Sequence, residues 1–254
     1  MKVRILGCGT STGVPKIGNQ WGQCDPNEPR NARLRSSIMV ESGGKRVLID
    51  CGPDLRQQLL EADVERLDAV IVTHDHGDHV HGIDELRPVS QAIEGPVPLL
   101  GRAETLTRLE RRFDYAFAQS EFYRPIVERR EIDGEWQFGE ARLRFVDQPH
   151  GSGTSLGVRF DEGSRSVAYA IDFHDLTDEM AELYQGADVW VADCLTRQPH
   201  PTHAHLDAVL GWARDLGVGR LYLTHMGNGL DYRTLVAELP DWAAPAHDGL
   251  EIDL

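Results

Sequence analysis

The densest group of chemically active side chains lies in the run THDHGDHVHG, where histidines and aspartates follow the spacing HxHxDH. Imidazole nitrogens and carboxylate oxygens together suit zinc, manganese or iron, and four such groups within six residues are costly to bury without a cation. His74 and His76 point to the same side of an extended stretch. Gly77 then lets the chain turn, so that Asp78 and His79 reach a second position. The run predicts a metal site; the alternative is a solvated histidine-rich loop.

Three further candidate ligands follow β-rich runs elsewhere in the chain. His150 follows ARLRFVDQP, Asp172 follows SVAYAI, and His225 follows RLYLT. Taken singly, each is more often a hydrogen-bonded polar residue at a strand end than a ligand. Side chains at strand ends are, however, held by a rigid sheet and point into the crevice where ligands usually sit. Together they predict that separate segments bring metal-binding groups to one edge of the sheets.

The elements that must position these residues are short strands joined by polar loops. β-Rich runs predict strands at residues 3–6, 37–41, 47–49, 69–73, 141–146, 156–160, 167–171, 189–192, 221–224 and 250–252. Apolar residues at spacings of three and four predict one helix along 206–216 and another along 106–117, inside a charged segment from 103 to 130. This order predicts an α/β protein with two sheets packed face to face and helices outside. Because no repeat or linker marks a boundary, we expect a single domain over residues 1–254.

The composition limits the classes of partner. The formal net charge is -15, which opposes general attraction to nucleic acid or anionic lipid, so a phosphate-bearing substrate must be held by local cations such as bound metal. The four cysteines lack CxxC spacing and predict no disulfide framework. No apolar run approaches the roughly 20 residues of a membrane span, and the start MKVRILGCGT does not resemble a secretory signal. We therefore expect a cytoplasmic protein without a membrane partner.

The run THDHGDH, followed by His150, Asp172 and His225, resembles the metallo-β-lactamase superfamily, whose fold is an αββα sandwich with a two-metal site. The segments ILGCGTSTGVP, VLIDCG, HAHLDAVL and HDGLEIDL are similar to the PhnP phosphodiesterase branch, which is related to the tRNA 3′-processing enzyme ribonuclease Z. The resemblance covers nearly the whole chain. It implies two divalent ions, zinc or manganese, with Asp172 bridging them. The remaining ligands divide into His74, His76 and His150 on one ion, and Asp78, His79 and His225 on the other.

The same resemblance assigns roles in catalysis. Two dications about 3.5 to 4 Å apart lower the pKa of a shared water towards about 7, so the implied nucleophile is a bridging hydroxide that Asp78 helps to orient. His203 matches the general-acid position that protonates the leaving oxygen, with His205 as the alternative donor and a plain helix-entry residue as the structural alternative. Asp50, in VLIDCG, resembles an aspartate that orients a ligand histidine; a turn-forming role before Gly52 is equally open.

The glycine-rich turn GCGTSTG is not a dinucleotide fingerprint, because its glycines are spaced GxGxxxG and Val14-Pro15 follows where a helix should begin. It predicts a tight turn beside the metal site, with Ser11 and Thr12 as substrate contacts. The run RLRSS at residues 33–37 is able to bind phosphate, but a solvated surface stretch is the favoured interpretation.

One departure from the family pattern is informative. Phosphonate-pathway members carry a cysteine cluster after the first turn, which binds an additional zinc together with a later histidine. Here GNQWGQCDPNEPRN keeps only Cys24, and Asn228 stands where that histidine is expected. We therefore predict no structural zinc in this stretch and do not carry over the phosphonate-pathway role.

Together these observations predict a binuclear metal-dependent phosphodiesterase acting on a small nucleotide-like or cyclic phosphate ester. The alternatives are a thioester or lactone hydrolase, a ribonuclease acting on tRNA 3′ ends, and a metal-binding module without turnover. The charged helical segment either packs against a second subunit, which would make a homodimer, or caps the pocket.

Overall fold

The chain forms two β-sheets with helices on their outer faces, as a computed structural model of residues 1–119 and 121–254 describes it. Each sheet has seven strands within these ranges. The first contains β1 (Lys2–Gly7), β2 (Ser37–Ser42), β3 (Lys45–Ile49), β4 (Ala69–Ile71), β5 (Val97–Gly101), β6 (Val127–Glu131) and β14 (Glu251–Asp253). The second contains β7 (Trp136–Phe138), β8 (Ala141–His150), β9 (Gly153–Glu162), β10 (Arg165–Ala170), β11 (Val189–Asp193), β12 (Arg220–Thr224) and β13 (Ala243–Pro245).

Both sheets are mixed. The first has the order β14-β1-β2-β3-β4-β5-β6, antiparallel from β14 to β3 and parallel from β3 to β6. The second has the order β13-β12-β11-β10-β9-β8-β7, parallel from β13 to β10 and antiparallel beyond. Each half of the chain therefore builds one sheet, and only the last strand returns to the first.

Helices connect the strands and cover the sheets. They are α1 (Leu55–Glu61), α2 (Gly77–Val80), α3 (Leu86–Ala92), α4 (Ala103–Arg112), α5 (Asp114–Phe117), α6 (Asp178–Tyr184), α7 (Leu206–Asp215) and α8 (Tyr232–Glu238). None of the described helices is both long and apolar enough to cross a bilayer.

The strands bury side chains on both faces. In β3, Val47 and Ile49 join a core shared with β9 and β10 of the other sheet, whereas Leu48 points to the opposite face. There Leu48 belongs to a second core with Leu55 of α1 and Leu106 of α4. Since successive side chains of a strand alternate between faces, this pattern places one core between the sheets and another under the helices. The predicted αββα sandwich is confirmed.

Every strand predicted from the sequence overlaps an observed strand, but four observed strands were not predicted. Three of these four, β6, β7 and β13, are edge strands of their sheets. Edge strands commonly carry charged residues or proline, which obscure the apolar pattern: β6 reads VERRE and β13 reads AAP. The helix predicted along 106–117 is observed as α4 and α5, and the charged segment around it continues into β6 at residues 127–131.

Candidate metal centre

The HxHxDH run leaves β4 as an extended stretch and turns into the short helix α2. His76 has extended backbone angles immediately before this helix, which begins at Gly77. The turn brings Asp78 and His79 back towards the first two histidines, so the ring centroid of His74 lies 4.5 Å from that of His76 and 4.4 Å from that of His79. The four potential metal ligands of this run therefore lie close together within six consecutive residues.

The structure brings all seven candidate ligands of the sequence analysis together. Within each of two groups, one potential ligand atom per residue lies within 4.8 Å of the others. These groups are His74, His76, His150 and Asp172, and Asp78, His79 and His225.

The carboxylate of Asp172 lies between the two groups and divides them. Its Oδ2 is 3.4 Å from His74 Nε2 and 3.3 Å from His150 Nε2. Its Oδ1 is 3.6 Å from His79 Nε2 and 3.4 Å from His225 Nε2. Each oxygen therefore faces a different pair of imidazole nitrogens.

Three atoms at this centre are buried and have no hydrogen-bond partner among the described residues: His74 Nε2, His79 Nε2 and Asp172 Oδ1. Buried polar atoms without partners cost about 1 to 3 kcal/mol each, and proteins rarely keep them without a reason. Imidazole nitrogen with carboxylate oxygen is a donor set that divalent transition metals accept. The residues present thus fit metal binding.

Asp50 holds His79 in place. Its carboxylate accepts hydrogen bonds from Thr73 N–H at 2.8 Å, from the Thr73 hydroxyl at 2.9 Å and from His79 Nδ1 at 2.7 Å. Burial acts to lower the pKa of His79, but Asp172, Asp50 and Asp78 outweigh it and raise that pKa well above its ordinary value. Two roles were left open for Asp50, and these contacts support the first, the orientation of a ligand histidine. Its left-handed backbone also turns the chain before Gly52, which is the second role.

Three other histidines are oriented in the same way, through Nδ1. His74 Nδ1 lies 3.0 Å from the Thr73 hydroxyl oxygen, and that hydroxyl donates to Asp50, so His74 must donate to it. With Nδ1 carrying the proton, Nε2 presents its lone pair to the centre. The other two contacts are His150 Nδ1 with the Thr202 carbonyl at 2.9 Å and His225 Nδ1 with Ser36 Oγ at 3.2 Å.

The backbone is strained where it delivers three of these side chains. Asp50, Asp172 and His225 have φ values of 64°, 54° and 56°. Left-handed backbone is uncommon for residues other than glycine and clusters at functional sites. All three lie within two residues of the end of a strand, so the sheets hold them in this conformation.

Asp193 was missed by the sequence analysis. It ends β11, is fully buried, and its Oδ2 accepts a hydrogen bond from His203 Nδ1 at 2.9 Å. Burial acts to lower the pKa of His203, but the hydrogen bond and charge of Asp193 outweigh it and raise that pKa. The His203 ring stacks on His225 with centroids 5.1 Å apart. The available signal was an aspartate ending the β-rich run VWVAD, the same signal that identified Asp172.

The remaining candidates divide between those at the centre and those away from it. A cavity of about 1010 Å³ opens above the metal-binding side chains, and both Ser11 and His203 line it. Thr12 and His205 are not among the described residues of its lining. Thr12 donates to the Gly13 carbonyl, and His205 precedes α7 in a backbone bridge with Thr196.

The interpretation of residues 33–37 as a solvated surface stretch is wrong. Arg33, Ser36 and Ser37 are buried. The Arg33 guanidinium is directed into the protein, where it donates to the carbonyls of Gly227 at 3.2 Å and Leu230 at 2.6 Å. The reason is packing against β1, since a Cβ on Gly7 would lie only 2.0 Å from the Arg35 carbonyl oxygen. This stretch supports His225 through Ser36 and leaves Arg33 committed to internal hydrogen bonds.

The segment around Cys24 is also held by hydrogen bonds. The Cys24 thiol lies 3.5 Å from the Leu230 carbonyl, and Asn31 Nδ2 donates to Asp231 at 2.7 Å. Asn228 donates to the Gln20 carbonyl at 3.2 Å. These contacts join the N-terminal loops to the segment that follows His225.

The fold and the site together define a hydrolase of the metallo-β-lactamase type. Residues 45–226 match the family described as the β-lactamase superfamily domain, and the chain belongs to this superfamily. A solved structure described as a new diphosphatase from the PhnP family is 35% identical with a TM-score of 0.88, covering 99% of this chain and 96% of that one. The predicted resemblance to the superfamily and its PhnP-like branch is confirmed.

Two curated relatives are named for different activities. An octanoyltransferase of Porphyromonas gingivalis is 30% identical over 99% of this chain, and the chain spans only 51% of that protein. A ribonuclease Z of Mycobacterium bovis is 26% identical, with 78% of this chain and 81% of the relative aligned.

Proposed function

We propose that this chain is a metal-dependent phosphodiesterase that holds two divalent ions and acts on a small nucleotide-like or cyclic phosphate ester. The observation that carries the proposal is the division of the donors by Asp172, whose two oxygens face different pairs of histidines. In this assignment His74, His76 and His150 would hold one ion, Asp78, His79 and His225 would hold the other, and Asp172 would contribute to both.

The chain's own residues then orient the attacking water and donate a proton to the departing oxygen. When bound, a pair of divalent ions would activate water and polarise phosphate oxygens. Burial opposes ionisation of Asp78, but the charge of His79 outweighs it and holds the pKa of Asp78 well below its ordinary value. Asp78 is therefore an ionised acceptor that orients the attacking water. His203, backed by Asp193, donates a proton to the departing oxygen.

A small substrate is supported by the size and charge of the site. The cavity of about 1010 Å³ is at the upper end of the range typical for small-molecule sites. The net charge of -15 opposes a long polyanion such as tRNA, which weighs against the activity named for the ribonuclease Z relative. Arg102 and Arg108 also line the cavity, paired with carboxylates of the same lining: Arg102 with Asp147, and Arg108 with Asp75 and Glu104.

The octanoyltransferase relative raises a second candidate, hydrolysis of an acyl thioester or lactone. The described lining of the cavity consists of histidine, aspartate, arginine, serine, threonine and glycine apart from Ala103 and Glu104. Such a lining is more polar than apolar and suits a phosphate better than an eight-carbon chain. The relative named a diphosphatase supports phosphorus as the atom attacked. We therefore favour the phosphate ester.

The test compares three substrates on protein reconstituted with zinc or manganese, with metal content measured in parallel. We expect two ions per chain and turnover of bis(p-nitrophenyl) phosphate, with little activity on an acyl thioester or a tRNA precursor. Asp172→Ala, purified identically, controls for contaminating hydrolases. A preference for the thioester or the tRNA would reject the proposal, and full metal binding without any turnover would favour a non-enzymatic metal-binding module.

A further inference from the structure

A chain of three buried side chains ends at the backbone of Asp172, and its members are Tyr184, Gln148 and Ser155. The Tyr184 hydroxyl lies 2.7 Å from Gln148 Oε1, and Gln148 Nε2 lies 2.8 Å from Ser155 Oγ. Ser155 Oγ in turn lies 2.8 Å from the Asp172 carbonyl oxygen. None of the three side chains belongs to the described lining of the cavity, so a substrate held there does not contact them.

The direction of these hydrogen bonds is set by an oxygen that can only accept. Gln148 Nε2 lies 2.9 Å from the Ile171 carbonyl, and an amide oxygen in its place would repel that carbonyl. The amide therefore presents its two N–H groups to Ser155 and Ile171, and its oxygen accepts from Tyr184. Burial raises the pKa of Tyr184 well above its ordinary value, so the hydroxyl keeps the proton that it donates. Ser155 accepts from Gln148 and directs its own proton towards Asp172.

Ser155 contacts both peptide groups that flank the Asp172 Cα. Its Oγ lies 2.8 Å from the Ile171 carbonyl oxygen and 2.8 Å from that of Asp172, so its proton is shared between them. The Ile171 oxygen belongs to the planar peptide group before the Cα and the Asp172 oxygen to the one after it, so these contacts restrict both φ and ψ. Asp172 has a φ of 54°, a conformation that is costly for residues other than glycine. The network therefore opposes relaxation to a negative φ, which would redirect the carboxylate.

Two features of β9 allow this network to form. Ser155 is the cross-strand partner of Gln148 in the antiparallel ladder of β8 and β9. The second feature is Gly157, where an added Cβ would lie only 1.7 Å from the Tyr184 hydroxyl oxygen and 2.7 Å from Gln148 Oε1. Glycine at this position therefore leaves the space in which the tyrosine hydroxyl, carried by α6, reaches the glutamine.

The same stretch of β9 also contacts the other half of the metal centre. Leu156 N–H donates to the Thr73 carbonyl at 2.9 Å, and Thr73 immediately precedes His74. Consecutive residues of β9 thus hold the backbone of the HxHxDH run and the backbone of Asp172. Because these ligands come from different sheets, a strand bonded to both limits their relative movement.

We propose that Ser155 is a positioning residue for Asp172, and that Tyr184 and Gln148 orient Ser155 for this role. The inference rests on the proposed function, in which Asp172 would contribute to two ions. Without the Ser155 hydroxyl, the Asp172 backbone can relax, and its carboxylate then no longer faces both pairs of histidines. Binding of the second ion should weaken most, because the shared carboxylate offsets its repulsion from the first ion.

The test titrates zinc into the metal-free full chain and measures both affinities by calorimetry. Ser155→Ala should weaken binding of the second ion about 10- to 100-fold, the effect typical of losing a group that orients a metal ligand. Ser166→Ala is the matched control, because Ser166 is also buried and lies near the opposite end of β10 from Asp172. Its hydroxyl donates to the Asp188 carboxylate at 3.0 Å and accepts from the Asp188 N–H at 3.1 Å. Each serine hydroxyl thus donates and accepts, but only that of Ser155 contacts Asp172.

Manganese gives a readout that a general loss of stability does not produce. Electron paramagnetic resonance of the manganese-loaded protein distinguishes two spin-coupled ions from isolated ions. Wild type and Ser166→Ala should show the coupled pair, and Ser155→Ala should lose it at the same manganese concentration. Urea denaturation of the metal-free variants measures their stability separately. Tyr184→Phe, which removes only the outermost hydroxyl, should weaken the second ion by a smaller factor, and it decides the test if Ser155→Ala does not fold.

Equal second-ion affinities and coupled spectra in the Ser155 and Ser166 variants would reject the positioning role and leave the proposed function intact. Metal loss that follows the loss of stability in both variants would also reject it, since Ser155 would then act only on folding. A wild type that binds a single ion would reject the proposed two-metal function and this inference with it. Absence of turnover on phosphate esters, with the second ion still dependent on Ser155, would instead reject the proposed reaction and keep the positioning role.

Discussion

Replacing Asp193 by asparagine removes the negative charge beneath His203 while keeping the size of the buried side chain. In the structure Asp193 Oδ2 accepts the His203 Nδ1 proton at 2.9 Å, in a fully buried position. An asparagine oxygen can still accept this hydrogen bond, but it no longer favours the protonated imidazole. His203 then loses the cause of its raised pKa, and burial alone favours the neutral ring, whose single N–H stays on Nδ1 and leaves no proton on Nε2 to donate.

The size of the effect follows from the interaction that is lost. A hydrogen bond to a charged group contributes about 1.5 to 3 kcal/mol, which corresponds to a factor of roughly 10 to 100 in the population of the protonated ring. Proton donation itself contributes about 10² to 10⁴ in rate. We therefore expect Asp193→Asn to slow a substrate with a poor leaving group about 10- to 100-fold. His203→Ala should slow it by more, up to the full contribution of the donor.

The assay compares two leaving groups. Nitrophenolate departs from bis(p-nitrophenyl) phosphate without a proton, whereas opening a 2′,3′-cyclic nucleotide releases an alkoxide that needs one. Both variants should lose far more activity on the cyclic nucleotide, with metal content unchanged. The double variant should be no slower than His203→Ala alone, because the two residues act as a unit. Equal losses on both substrates, or additive losses in the double variant, would refute proton donation by this pair.

Three further outcomes are expected. Asp172→Ala should release bound metal and abolish activity, and metal analysis measures the loss. If the variant keeps two ions per chain, Asp172 does not contribute to both of them. Gly52→Ala should weaken metal binding, because a Cβ there would lie 2.1 Å from a backbone oxygen of the metal-binding loop, while Gly95→Ala, which meets open space, should match wild type in the same titration. Arg33→Ala should destabilise the metal-free protein by about 2 to 4 kcal/mol in urea denaturation, since the buried Leu230 carbonyl and the partly buried Gly227 carbonyl each lose a hydrogen bond from a charged group. Arg35→Ala, whose partner is a partly exposed carboxylate, should cost about 1 kcal/mol or less, and similar losses for both arginines would contradict this account.

The sequence alone identified the donor types and the sheet-rich architecture. The HxHxDH run is local, so its spacing can be read directly, and Asp172 and His225 were recognised because each follows a β-rich run. Asp193 carries the same signal at the end of β11, and without its partner it resembled an ordinary strand-end polar residue. Edge strands such as β6 escaped prediction because their charged residues hide the alternation that marks a buried strand.

Only the tertiary structure decided which residues support which. Ser36 and His225 are 189 positions apart in sequence yet share a hydrogen bond, and Arg33 proved to be buried where the sequence favoured solvent. The physical reason is that residue type and local periodicity determine what a side chain can bind and which face of its strand it takes. Its partner depends on how the two sheets pack and on which loops meet at their edge, which are interactions between distant segments.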